Sequence, residues 1–145
     1  MDGGRLTTRN RGLAADYVRR AVVRIQAVEV LHGAGSWADV VRKSQEAVEL
    51  ALKGLLRSSG IEPPRLHDVS AILASERERL PESVHAHVDR MAAISRDLRR
   101  DRELAFLGAE DLVPSEFYGT EDACWALAGA RFVVDTVASV FGTPD

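Results

Sequence analysis

Gln45, Glu49 and Lys53 recur every four residues, which in a helix puts an amide, a carboxylate and an ammonium in one row. Such a row either is an ordinary solvated face or lines a polar groove able to hold a phosphate or a polar partner. A second set lies at Arg96-Asp97-Leu98-Arg99-Arg100-Asp101-Arg102-Glu103, where charges alternate in sign. Arg99 shares a face with Arg102 and Glu103. Most of these charges read as solvated pairs of small energetic weight. An arginine on that face, next to a loop, has the planar fork that suits phosphate. Arg102 is followed within a turn by Leu104, Ala105 and Phe106, as though the helix turned one charge inward over the core. His67 follows a Pro-Pro turn; it either fixes the entry of the next helix with a local hydrogen bond or lines a groove. His85 and His87, two apart on a helix, diverge by about 200° and cannot chelate one metal. His32 sits at a helix end, where a cationic imidazole complements the dipole.

The usual catalytic signatures are missing. There is no GxxxxGK[ST], GxGxxG, GxSxG or HExxH. Cys124 is the only cysteine, so neither an intramolecular disulfide nor a thiolate metal cluster can form. Its place in an apolar helical pattern predicts a buried, inert thiol. No cofactor or metal is expected.

These side chains need helices to position them. Trp37, Val40, Val41, Ala47, Val48, Ala51, Leu52 and Leu55 follow the α-helical period from Ser36 to Gly60. Ser36 with Asp39 makes an approximate capping box, and Gly60 suits the left-handed close of the helix. Glu49 and Lys53 stand in the favourable i,i+4 order on the polar side. Before this segment, Leu13, Tyr17, Ala21, Ile25, Val28 and Leu31 trace a helix from Arg11 to near His32. A Gly33–Gly35 turn makes the two antiparallel neighbours. After IEPPRLHD comes a short helix from His67-Asp68, with Val69, Ile72 and Leu73 as its apolar contacts. Pro81 suits the first turn of a fourth helix, from about Glu82 to Leu107, with Val84, Val88, Met91, Ile94 and Leu98 buried. A loop, GAEDLVPSEFYGT, leads to a last helix that Thr120 can cap and whose positive end Glu121 and Asp122 favour. Its apolar face is Ala123, Leu127, Ala130, Val134, Val137 and Phe141. No stretch alternates as a strand does. The fold class is therefore all-α: an up-and-down four-helix bundle with one additional short helix. Residues 1–10 read as a flexible tail and 11–145 as one helical domain.

Bulk properties agree with a globular protein able to build its own core. The formal net charge of −3 makes no global case for nucleic acid. Seventeen of the nineteen basic residues are Arg, which suits bidentate contacts to phosphate or carboxylate and equally fits a GC-rich coding sequence. No stretch approaches the roughly 20 apolar residues of a membrane span, and MDGGRLTTRNRG lacks the apolar run of a signal peptide. A cytoplasmic location without membrane contact is expected.

Three segments together resemble the HEPN family (higher eukaryotes and prokaryotes nucleotide-binding domain). They are ADYVRRAVVRIQAVEVLHGAGSWADVVRKSQEAVELALKGLL, GIEPPRLHDVSAIL and RDRELAFLGAEDLVPSEFYGTEDACWAL, within a likeness from about Leu13 to Phe141. The resemblance implies a helical bundle, frequent homodimers and partnership with small nucleotidyltransferases in toxin–antitoxin modules. Many members are metal-independent ribonucleases carrying Arg, four to six residues, then His, on the helix matching the fourth one. The matching arginine is Arg102, but the His would fall at Leu107, Gly108 or Ala109. Without that imidazole there is no proton carrier at the position, only a cation for phosphate charge. Nor is the Tyr that closely follows the motif His identifiable, since Tyr118 lies too far along.

Two functions follow from the resemblance. One is a non-catalytic, dimeric HEPN module binding a nucleotidyltransferase-like partner, a nucleotide or RNA. Its groove candidates are Gln45, Glu49, Lys53, His67, Arg99, Arg102, Glu103, Tyr118 and Asp122. The other is a ribonuclease toxin of a HEPN/nucleotidyltransferase pair with a degenerate site using Arg102. A structural helical adaptor is a third class.

Overall fold

Glycine placement and apolar spacing divide the chain into helices, and the computed structural model describes residues 8–63, 65, 68–107 and 118–142. For residues 8–10 and 101–107 the description is of the backbone. Helix α1 spans Thr8–Gly33, α2 Trp37–Ser58, α3 Val69–Ser75, α4 Val88–Leu107 and α5 Thr120–Phe141. Two short 3-10 segments, Arg77–Arg79 and Glu82–His87, lead from α3 into α4. Among the described residues there is no strand. The all-α class holds, with four long helices and one short.

The turns close as the glycines allow. At the end of α1, Gly35 has φ +74°. Its N–H donates to His32 O at 3.1 Å and Ser36 N–H donates to Leu31 O at 3.0 Å. At the end of α2, Gly60 has φ +78°, with Gly60 N–H on Arg57 O (3.0 Å) and Ile61 N–H on Leu56 O (2.9 Å). Both are Schellman closures, in which a left-handed residue lets two terminal carbonyls find donors. Ile61 and Leu56 are both buried, the apolar contact that accompanies this motif.

Packing makes α2 the hub. It touches α1, α3, α4 and α5, and its contact with α5 is the second most extensive in the molecule after that with α1. Helix α5 can approach so closely because it buries Ala123, Ala126, Gly129 and Ala130 alongside Leu127, Val133, Val134 and Val137. Helices α1 and α4 flank the α2–α5 pair, each touching both members. Arg131 of α5 pairs with Glu29 of α1, and Arg90 of α4 lies over Phe132 of α5. The core runs continuously through Val48, Leu52, Leu55, Leu56, Leu73, Val84, Met91 and Leu98. A smaller cluster, Val28, Val40, Ala123 and Leu127, fills the end near the α1–α2 turn.

Several local expectations are corrected. Helix α1 begins at Thr8 rather than Arg11. Its buried stripe is Ala14, Val18, Ala21 and Val28, while Leu13 is exposed. The cause is a close crossing at Gly54 of α2: a Cβ there would meet Val18 Cγ2 at 2.7 Å and Ala14 O at 3.0 Å, so small residues face the contact. Ser36 makes no hydrogen bond to the end of its helix; its hydroxyl donates to Asp39 Oδ2 at 2.7 Å. The last helix is entered through Gly119, not capped by Thr120; Gly119 N–H donates to Asp122 Oδ2 at 2.8 Å. Cys124 is exposed, not buried. Finally, α5 is long and apolar enough, by length and composition, to span a bilayer. It nonetheless sits against α1, α2 and α4 with its small residues inside, as a core helix does.

Candidate functional site

The row on α2 becomes one wall of a groove. Ser44 and Gln45 are buried, because the helix is covered by neighbours over more than the one stripe its strongly apolar residues mark. Gln45, 3% exposed, donates from Nε2 to Glu49 Oε1 at 2.5 Å. Glu49 is thereby engaged by an amide rather than by Lys53. Among the described residues, Lys53 has no ion pair, so the expected Glu49–Lys53 pair is not formed.

The opposite wall comes from α1. Arg24 reaches across to Glu46 Oε1, which also accepts from Lys43 Nζ at 3.3 Å. Arg24, Glu46, Glu49, Leu50 and Lys53 enclose a groove of about 170 Å³. It combines two cations, two carboxylates and one apolar side chain at its floor. Arg24 and Lys53 are its anion-binding groups: the first a flat guanidinium, the second a mobile point charge. Arg24 and Glu46 were missed from the sequence, where each reads as a boundary position beside an apolar stripe. The signal was available, since Arg24 stands beside Ile25 and three residues after Ala21.

The other candidates go elsewhere. Arg99 of α4 approaches Asp68 Oδ1 at 4.0 Å, and Asp68 caps α3 by accepting from Ser70 N–H at 3.0 Å. Tyr118 is buried in the main core cluster. Asp122 holds the entry of α5, as described above. None of these three lines the α1–α2 groove. His67 lies outside the described residues. Arg102 and Glu103 lie in the last turns of α4, and their side chains are outside the description. His85 is tied to Leu80 O at 2.9 Å and His87 stands edge-on to Phe132, so they diverge as their spacing requires. Among the described residues, no three His, Cys, Asp or Glu side chains converge as a metal site needs.

The arrangement of helices has a family-level match. The profile of the HEPN domain fits residues 14–140, almost the whole bundle. The chain belongs to the HEPN family. The HEPN fold is seen again in the crystal structure of TT1696 from Thermus thermophilus. That structure superposes with a TM-score of 0.68 at 23% identity, covering 87% of this chain and 96% of TT1696. At that identity the likeness establishes the fold alone. No curated protein matches the chain. HEPN domains as a class are nucleotide- or RNA-binding helical modules, which sets the chemistry against which the α1–α2 groove is read.

Proposed function

We propose that this chain is a non-catalytic HEPN module that binds the phosphate of a nucleotide or RNA in the α1–α2 groove, as a homodimer paired with a small nucleotidyltransferase. One observation carries the binding site: Lys53, without an ion pair among the described residues, and Arg24 stand at a groove that also offers the Leu50 side chain. A phosphate would accept from both cations while a sugar edge rests on Leu50. The volume, about 170 Å³, is below that of pockets which engulf a drug-sized ligand. The groove therefore suits one phosphate with its sugar on a surface, as along a strand.

The non-catalytic part rests on Arg102. Leu107, Gly108 and Ala109 occupy the places where the family's imidazole would lie. A positioned acid or base contributes ~10²–10⁴-fold in rate, and a guanidinium alone cannot carry the proton. The degenerate ribonuclease reading is the alternative outcome of the same experiment.

The test is a titration of labelled single-stranded RNA and of ATP against purified protein, followed by fluorescence anisotropy. Lys53→Ala and Arg24→Ala are each expected to weaken binding by about five-fold or more, a loss of ~1 kcal/mol typical of a charged hydrogen bond. Wild-type affinity in both variants would remove the groove from the proposal. RNA cleavage by the wild type, abolished in Arg102→Ala, would replace the binding module with the nuclease. A chromatographic mass of a single subunit would remove the dimer.

A further inference from the structure

The end of the bundle opposite in chemistry to the groove carries a thiol–imidazole pair. Helix α1 delivers His32 in its last turn, α5 delivers Cys124 in its second turn, and α2 opens with Trp37. His32 Nε2 lies 3.4 Å from Cys124 Sγ, within the reach of an S–H···N hydrogen bond. The imidazole is held from another side by Trp37, with ring centroids 5.3 Å apart and planes at 65°. Cys124 is exposed and His32 half-buried, so the sulfur is reachable from solvent while the ring is braced. Three elements thus converge on a nucleophile and a proton acceptor that the groove and the family site do not use.

A purely structural role for the pair is weak. The surrounding cluster of Val28, Val40, Ala123 and Leu127 already joins α1, α2 and α5 by burial. A hydrogen bond between two solvent-accessible groups adds little, about 0.5–1.5 kcal/mol at most. The geometry instead suits proton removal from the thiol, since the thiolate is the nucleophile and a neighbouring imidazole can take its proton. The hydrogen bond requires the neutral imidazole with its proton on Nδ1, which leaves Nε2 free to accept.

We propose that Cys124 is a thiol–disulfide exchange site for low-molecular-weight disulfides, with His32 as its proton acceptor. The sulfur of Cys124 attacks one sulfur of the small disulfide and forms a new S–S bond. The old S–S bond breaks, and its electron pair leaves with the departing thiolate. His32 Nε2 takes the Cys124 proton and returns it to that thiolate, so the products are a mixed disulfide and one free small thiol. The Cys124 sulfur is oxidised and the departing sulfur is reduced, and no further oxidant is needed. Because Cys124 is the only cysteine, the chain holds no second thiol to resolve the mixed disulfide internally. The modified state therefore persists until an external thiol reverses it, as a reversible mark would.

The experiment uses the full chain and oxidised glutathione near neutral pH, with intact-protein mass spectrometry following the mixed disulfide over time. Wild type is expected to react about tenfold faster than His32→Ala, at the modest end of what a positioned base supplies. Added free imidazole should restore much of the lost rate in His32→Ala, a rescue that a merely structural histidine would not show. Cys124→Ser should give no adduct. Circular dichroism on each variant confirms that the bundle is intact. Equal rates in wild type and His32→Ala, or no rescue by imidazole, would overturn the proposal.

Discussion

At Gly54 a single hydrogen in place of a methyl group sets how closely α1 and α2 meet. An added Cβ would fall 2.7 Å from Val18 Cγ2, 3.0 Å from Ala14 O and 3.3 Å from Tyr17 Cβ. Alanine is the better helix former by ~1 kcal/mol, but overpacking a fitted contact costs ~1–3 kcal/mol, and the backbone oxygen cannot swing away. Gly54→Ala is therefore expected to lose about 1 kcal/mol in urea denaturation. Gly12, on the exposed side of α1, has nothing within 4 Å of its virtual Cβ. Gly12→Ala is expected to gain about 0.5–1 kcal/mol by the same measurement, because only the propensity term remains. The opposite signs separate packing from propensity. Gln45 shows the same kind of local decision: its polar side chain is buried, so its Nε2 is committed to Glu49. That commitment leaves Lys53, not Glu49, as the available charge in the groove.

At the scale of the element, helix ends determine where side chains point. Asp68 caps α3, a helix of only seven residues that has little else to hold its first turn. Asp68→Ala is expected to cost about 1 kcal/mol, read as a lower midpoint in urea with an unchanged slope. Asp122 is a groove candidate by sequence and an N-terminal bracket by structure. Asp122→Ala is expected to lower stability by ~0.5–1 kcal/mol and leave RNA affinity unchanged, read by melting and by anisotropy. A large loss of affinity in that variant would return Asp122 to the binding surface. The short 3-10 run Glu82–His87 ahead of α4 also belongs at this scale. The sequence places Val84, Val88, Met91, Ile94 and Leu98 on one stripe, and all five are buried. The period alone does not distinguish a tighter first turn from α-helix, because both keep i and i+4 on nearly the same side.

Across the whole molecule, stability comes from the shared core rather than from the ion pairs that ring it. The pairs Arg131–Glu29, Arg77–Asp89, Arg19–Asp16 and Arg79–Glu76 all involve partly or largely exposed side chains. Exposed pairs contribute ~0.2–1 kcal/mol each and are screened by salt. Raising sodium chloride to about 1 M is therefore expected to shift the thermal midpoint by only a few degrees, measured by circular dichroism. Much of the architecture was legible in the chain. Apolar spacing marked the helices, Gly35 and Gly60 marked two of their ends, and α2 stood out as the most regular stripe. The candidate site was legible in part: Glu49 and Lys53 line the groove, whereas Tyr118 entered the core and Asp122 became a cap. What the sequence determined by itself was the set of helices and their inward faces, since a period of 3.6 residues acts within each segment and needs no neighbour. Only the tertiary structure decided which polar groups meet across segments. Arg24 reaches Glu46 and His32 reaches Cys124 because α1 packs on α2 and α5, and no local pattern encodes a distance between residues far apart in the chain.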